Sequence, residues 1–276
     1  MTRRAAAAAA FALAACQPAL HATPSPATTG APPPGATVPA ATLAEARAAF
    51  ARRPDRSAVQ RAEALFLQAS RAEATAVEGL YGAILAKAWL IEHEPDGDAR
   101  AALAVSAVEA GQWCLERAPD DARCHYGIAL GLGIQARERH RTAKEGLKLM
   151  VEHLRLAEAA DPALDDAGPA RILSMVLVRA PAWPLGPGDP EAAVVEAQRA
   201  VATAPDFPPN QLALAEALQA TGDREGARAA ASRGLTLARA RAASGDPDAI
   251  DWVRDGQAFL VRKDGRSRAA AAVDGG

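Results

Sequence analysis

Aromatic residues are scarce: Phe, Trp and Tyr make up 4% of the 276 residues. Sheet-rich folds draw on aromatic and β-branched side chains, whereas Ala supplies roughly a quarter of this chain, so the composition argues for closely packed helices. Cysteine is scarce too. Three residues exclude a disulfide-dense scaffold and a four-cysteine zinc site. Neither sign of charge dominates: 31 Lys and Arg oppose 33 Asp and Glu, for a net charge of −2 and a pI near 6.2. That balance gives no support to a nucleic-acid partner and none to an acidic, solvating, disordered chain. Internal runs approaching the length of about 18 apolar residues are also missing, so no internal membrane span is expected. What is present is a chain that is 50% hydrophobic, long enough for one sizeable core or two small ones.

The first residues read as an address. Arg3 and Arg4 precede an apolar run from Ala5 to Ala15, the pattern of a secretory signal and too short to span a membrane as a mature helix. The run ends Leu13-Ala14-Ala15-Cys16, which resembles the bacterial lipobox, where small residues precede a Cys. The resemblance implies a signal peptide over residues 1–15, cleavage before Cys16, and lipid on that residue. The alternative is an ordinary Ala-rich signal with a chance Cys. Gln17, rather than Asp, follows the Cys, which favours the outer membrane within that pattern. Residues 16–40 carry Pro18, Pro24, Pro26, Pro32, Pro33, Pro34 and Pro39 among Ala, Thr and Gly. Such a stretch cannot bury a core and reads as a semi-extended tether.

Residues 41–263 alternate helical patterns with Pro, Gly and Asp punctuation, and residues 264–276 read as a flexible tail. Pro119, Pro162 and Pro205 recur every 43 residues, each after a similar helical face. Gly-Asp turns at Gly97, Gly188 and Gly222 form a second register, with an Ala five residues beyond each Gly; the last two lie 34 apart, the tetratricopeptide period. Helices are expected over 43–52, 57–72, 73–93, 99–117, 122–137 and 142–160, and from an Asp166 cap with Pro169 in the first turn to Arg179. Ala193, Ala200 and Pro205, then Leu214, Ala215 and Leu218, fall at small, bulky and helix-stop positions of paired helices that cross closely. A last helix over 248–261 is expected to cap the stack with Trp252 and Phe259 inward. The fold class is therefore all-α, antiparallel helix pairs stacked as a tetratricopeptide-like superhelix.

No catalytic constellation emerges, so an enzyme is not expected. Gly131-x-Gly133-x-x-Ala136 matches a dinucleotide fingerprint only formally, because it lies inside a helical run and not between a strand and a helix. His140 and His153 can meet across one helix pair, but two ligands without a third make no zinc site, and no metal or cofactor is expected. Once Cys16 is set apart, Cys114 and Cys124 stand at neighbouring helix ends. They are either a disulfide of an exported protein or two small residues in a tight crossing. Tyr126 sits in a Gly-rich helix, Arg171 in an apolar one, Trp183 on the loop Ala180–Gly188, and Asn210 after two prolines. Tyr126, Arg171, Trp183 and Asn210 are the expected ligand- or partner-binding residues, the first three lining one pocket or partner groove in which Arg171 pairs with a carboxylate; core packing of Tyr126 and Trp183, a link from Arg171 to Asp165, and capping by Asn210 are the structural alternatives.

A lipobox, a Pro-rich tether and helix pairs with long first turns resemble the T-component of tripartite ATP-independent periplasmic (TRAP) transporters. The residues that carry this are Tyr126 to Gln135, Gly168-Pro-Ala-Arg-Ile-Leu173, Ala180 to Asp189, and Pro208 to Leu218. The resemblance implies a lipid-anchored protein on the periplasmic side of a bacterial membrane. It also implies a protein partner such as a solute-binding protein, a small apolar or acidic ligand, and a homo-oligomer. A generic tetratricopeptide scaffold in envelope assembly is the competing reading.

Overall fold

The computed structural model describes residues 38–138 and 143–273, with side chains for 40–138 and 144–261. The expected signal peptide, Cys16, the tether up to residue 37 and His140 lie outside the described residues. Within them the chain forms α1 (Val38–Phe50), α2 (Arg56–Ala69), a short 3-10 turn, α3 (Ala76–Glu92), α4 (Gly97–Arg117), α5 (Ala122–Glu138) and α6 (Ala143–Ala160). There follow α7 (Leu164–Arg179), α8 (Pro190–Thr203), α9 (Pro208–Ala220), α10 (Arg224–Ala243) and α11 (Ala249–Val273). Among the described residues no strand forms; a lone bridge joins Ala182 and Gly188 inside a loop.

The periodic prolines and the Asp residues of the Gly188 and Gly222 turns do what their chemistry predicts, whereas Gly97-Asp98 is the first turn of α4 and the residue before it, Asp96, is the cap. Pro119, Pro162 and Pro205 each lie two residues beyond the ends of α4, α6 and α8, because a proline cannot continue a helix. Asp96, Asp189 and Asp223 cap the starts of α4, α8 and α10, their carboxylates accepting from Ala99, Ala192 and Gly226 amides at 2.7–3.0 Å. Consecutive helices pair antiparallel, giving five pairs with α11 as a terminal cap. α3, α5, α7 and α9 also touch the next odd-numbered neighbour, which makes the odd helices the inner, concave layer of the superhelix.

Alanine sets the spacing. Ala83, Ala107, Ala129, Ala157, Ala197 and Ala215 are fully buried at helix crossings, where a small side chain lets backbones approach. Gly131 shows the same constraint at its limit, since a Cβ there would stand 2.9 Å from the Val108 backbone nitrogen. The formal dinucleotide pattern is thus a close α4–α5 crossing. Larger groups, including Leu132, Leu154 and Leu173, fill the main core between α5, α6 and α7. Against expectation, the stretch Glu73–Glu92 is long and apolar enough to cross a membrane by composition. It packs instead between α2, α4 and α5 as a central core helix, about half buried. At the far end α11 continues as helix to Val273, beyond the expected stop near Val261; Phe259 is buried and Trp252 half-buried.

Candidate functional site

The start of α7 departs from the expected cap. Asp165, Asp166 and Ala167 are left-handed, with φ of 53°, 52° and 65°. Asp166 therefore does not cap the helix; the regular turn begins at Gly168-Pro169, where proline's fixed φ suits a first turn. Three successive non-Gly residues in this region cost about 1 kcal/mol or more each and need tertiary support. Arg171 and Asn210 supply it. Arg171 is buried and its guanidinium donates to the Asp165 and Asp166 carbonyls and to Asn210 Oδ1, each at 3.1 Å, and to Asp165 Oδ2 at 2.8 Å. Fully buried Asn210 sets its amide 3.0–3.1 Å from the carbonyls of Asp166, Ala200 and Ala204. Tyr126 donates its hydroxyl to the same Asp165 oxygen at 2.7 Å. Gly168 has no side chain because a Cβ would collide with that hydroxyl. Burial, reinforced by the Asp165 charge, pushes the Tyr126 hydroxyl well above its ordinary range, so it stays protonated as a donor.

This turn forms one wall of a cleft of about 510 Å³ where the turns leading into α2, α7, α9 and α11 gather. Asp165, Asp166, Phe207, Trp252 and the Arg53–Asp248 pair line it. Phe207 is the hub of the wall: the Arg171 and Arg241 guanidiniums lie 4.9 and 5.2 Å from its ring centre, and Trp252 meets it edge-on at 5.2 Å. The other face of the Trp252 position opens on a second cavity of about 500 Å³ between α7, α9 and α11, walled by Met175, Leu212, Ala213, Ala258 and Phe259 with Arg179 and Glu216 at its rim. The two cavities share Trp252 and read as one groove.

Arg53 closes the ring of repeats. From the α1–α2 turn its Nε and Nη2 donate to the two oxygens of Asp248, just before α11, at 2.8 Å each and across 195 residues of sequence. Its remaining amine holds the Phe50 carbonyl at 2.9 Å. The first and last repeats are thereby joined beside the cleft.

Tyr126, Arg171 and Asn210 thus come together, but as a buried support. The expected grouping with Trp183 needs correction: Trp183 is 87% exposed, and α7 alone places Arg171 roughly 12 Å from the helix end that carries its loop. That loop bonds to itself, Gly188 to the Pro181 carbonyl and Leu185 to the Ala182 carbonyl, and so cannot fold its Trp back over the stack. Arg171 likewise does not offer its charge to a ligand, because Asp165 already takes it. Cys114 and Cys124 form a disulfide, their Cα atoms 5.1 Å apart and both fully buried. His153 pairs with His125, Nδ1 to Nδ1 at 2.9 Å. Among the described residues no three His, Cys, Asp or Glu side chains are placed to hold a metal ion. Sequence reasoning missed Arg53 and Phe207. A Phe set between a helix-stop proline and the Pro208-Pro209 helix start was the available signal for the second; Arg53 carries none.

No family model matches the chain, and no curated protein matches it. Among solved structures, TTC0263, a thermophilic TPR protein of Thermus thermophilus, superposes with a TM-score of 0.59 at 19% identity, over 81% of this chain and 99% of its own. The fold is tetratricopeptide-like. A MamA RS-1 ArsTM double mutant overlaps more loosely, with a TM-score of 0.44 at 20% identity over 72% of this chain and 96% of its own.

Proposed function

We propose that this protein is a helical-repeat adaptor whose concave groove takes a segment of a partner protein. The observation that carries the reading is the pair of contiguous cavities sharing Trp252, set on the inner layer of a repeat array. Aromatic side chains in partly desolvated concave sites are frequent binding anchors, and the rigid support behind Asp165 lowers the ordering cost of association.

The finer reading places the adaptor on the periplasmic side of a bacterial membrane, tethered through lipidated Cys16, in the manner of the T-component that the sequence resembles. The partner in that case is a solute-binding protein. The buried disulfide supports an oxidising compartment. A generic scaffold in envelope assembly uses the same groove without a transporter.

Affinity capture from crosslinked native cells tests the reading. The wild-type protein should retain a partner that is lost with Ala258→Arg, which fills the groove from an exposed wall position. Val195→Glu, on the outer layer, should retain it. Equal capture by all three proteins removes the groove from the account. Cys16→Ser should release the protein from the membrane fraction, and unchanged membrane association removes the anchor.

A further inference from the structure

We infer that the segment taken by the groove is basic as well as apolar, an extended peptide that sets a Lys or Arg side chain at the Asp165–Asp166 turn and an apolar side chain beyond Trp252. The inference rests on the groove being a partner-binding surface and names the chemistry of that partner.

The charges of the groove are unequal. Six carboxylates face it and only three guanidiniums do. The three guanidiniums are already committed within the molecule, Arg53 to Asp248, Arg179 to Glu216 and Arg241 to Asp246. Asp255 meets Arg254 at 3.3 Å on the open rim. At the turn Asp165 is paired with Arg171, and Asp166 remains as the one carboxylate of the groove without a cationic partner among the described residues. Asp165 uses one oxygen, Oδ2, for both Tyr126 and Arg171, which leaves Oδ1 uncommitted among the described residues. Exposed Asp166 gives its carbonyl to Arg171 and Asn210, while its carboxylate has no partner among the described residues. The left-handed turn therefore presents unsatisfied negative charge into a concave space walled by Phe207 and Trp252.

A cation entering there gains the Asp166 carboxylate and the second oxygen of Asp165, an attraction at an open cleft that added salt screens. Two intrinsic guanidiniums, Arg171 and Arg241, already lie over the Phe207 ring, so the Asp166 carboxylate is the better partner for an incoming cation. An acidic segment would meet the unpaired Asp166 carboxylate directly. On the far side of Trp252 the wall is Met175, Leu212, Ala213 and Phe259, which suits a Leu, Ile or Met side chain. Phe207 to Glu216 spans roughly 14 Å of helix, which an extended chain of about four residues covers.

The test uses the full chain carrying Cys16→Ser and three fluorescein-labelled peptides of equal length, alternating Leu with Lys, Leu with Gln, or Leu with Glu, read by fluorescence anisotropy. The Leu/Lys peptide should bind about tenfold more tightly than Leu/Gln, with Leu/Glu weakest, and the preference should shrink as salt rises from about 0.05 to 0.5 M. Asp166→Asn should reduce the Lys preference at least about threefold while leaving Leu/Gln affinity and the melting temperature unchanged, because Asn tolerates a left-handed backbone. Asp206→Asn, outside the groove, should leave the preference intact. Equal binding of the three peptides, a preference for Glu, or an Asp166→Asn protein that behaves like wild type overturns this inference and leaves the partner groove standing. If no peptide binds, the groove reading fails together with it.

Discussion

Asn210 reaches three backbone carbonyls with one amide group and accepts from Arg171 with its oxygen, all in a fully buried position. Asn210→Ala removes the amide donations to three carbonyls and one acceptor of Arg171 from a buried site, which should cost about 3 kcal/mol. Urea denaturation should show the loss; a value under about 1 kcal/mol contradicts the claim that this residue holds the left-handed turn. The histidine pair predicts a pH effect. Burial and the neighbouring His125 ring hold His153 below the ordinary imidazole value of 6.5. The unfolded chain therefore takes up a proton first, so stability is complete above about pH 6.5 and falls as the pH drops through the lowered folded value. Melting temperature measured between pH 8 and about 5 should decline less for His153→Gln than for wild type; parallel declines contradict it. Of these residues, sequence reasoning picked out Tyr126, Arg171 and Asn210 as unusual and left a pocket and a structural role open, and the structure shows the structural one, with Tyr126 buried and Arg171 paired to Asp165. An Arg in an apolar helix signals a paired charge as readily as a ligand site, and only the backbone conformation of Asp165 and Asp166, which no local pattern encodes, decides between them.

Helix ends were the most legible elements. Pro119, Pro162 and Pro205 stop helices through a missing amide and a ring clash, and capping Asp residues start them through a hydrogen bond, so both signals act locally. The kink at 165–167 was not legible, because it is imposed by contacts to α5 and α9. The Trp183 loop failed for a related reason: an aromatic residue favours burial on average, but the hydrogen bonds of its own loop keep it out. The disulfide joins the end of α4 to the start of α5 across a separation of 10 residues. Its loss should cost about 2–3 kcal/mol, chiefly by freeing the unfolded chain. A Cys114→Ala/Cys124→Ala protein should melt several degrees lower than wild type while keeping its far-ultraviolet circular dichroism; an unchanged melting temperature contradicts a structural role for the bond.

At the scale of the whole molecule, repeat arrays gain stability from neighbour to neighbour, and their ends need not meet. Here they do, through the Arg53–Asp248 pair, and the pair sits beside the cleft that receives the partner. Arg53→Ala should let the first and last repeats separate and raise the radius of gyration measured by small-angle scattering, with helix content unchanged; an identical radius contradicts the closed ring. No sequence pattern links residues 195 positions apart, so this feature belongs to the curvature that all the alanine-spaced crossings produce together. The same curvature creates the groove. Site-specific photocrosslinking in living cells tests its role most directly, with p-benzoylphenylalanine placed at position 258 on the groove wall or at position 195 on the outer layer. The account predicts a discrete crosslinked partner from position 258 and none from position 195; the same partner from 195 alone, or none from 258, would contradict it.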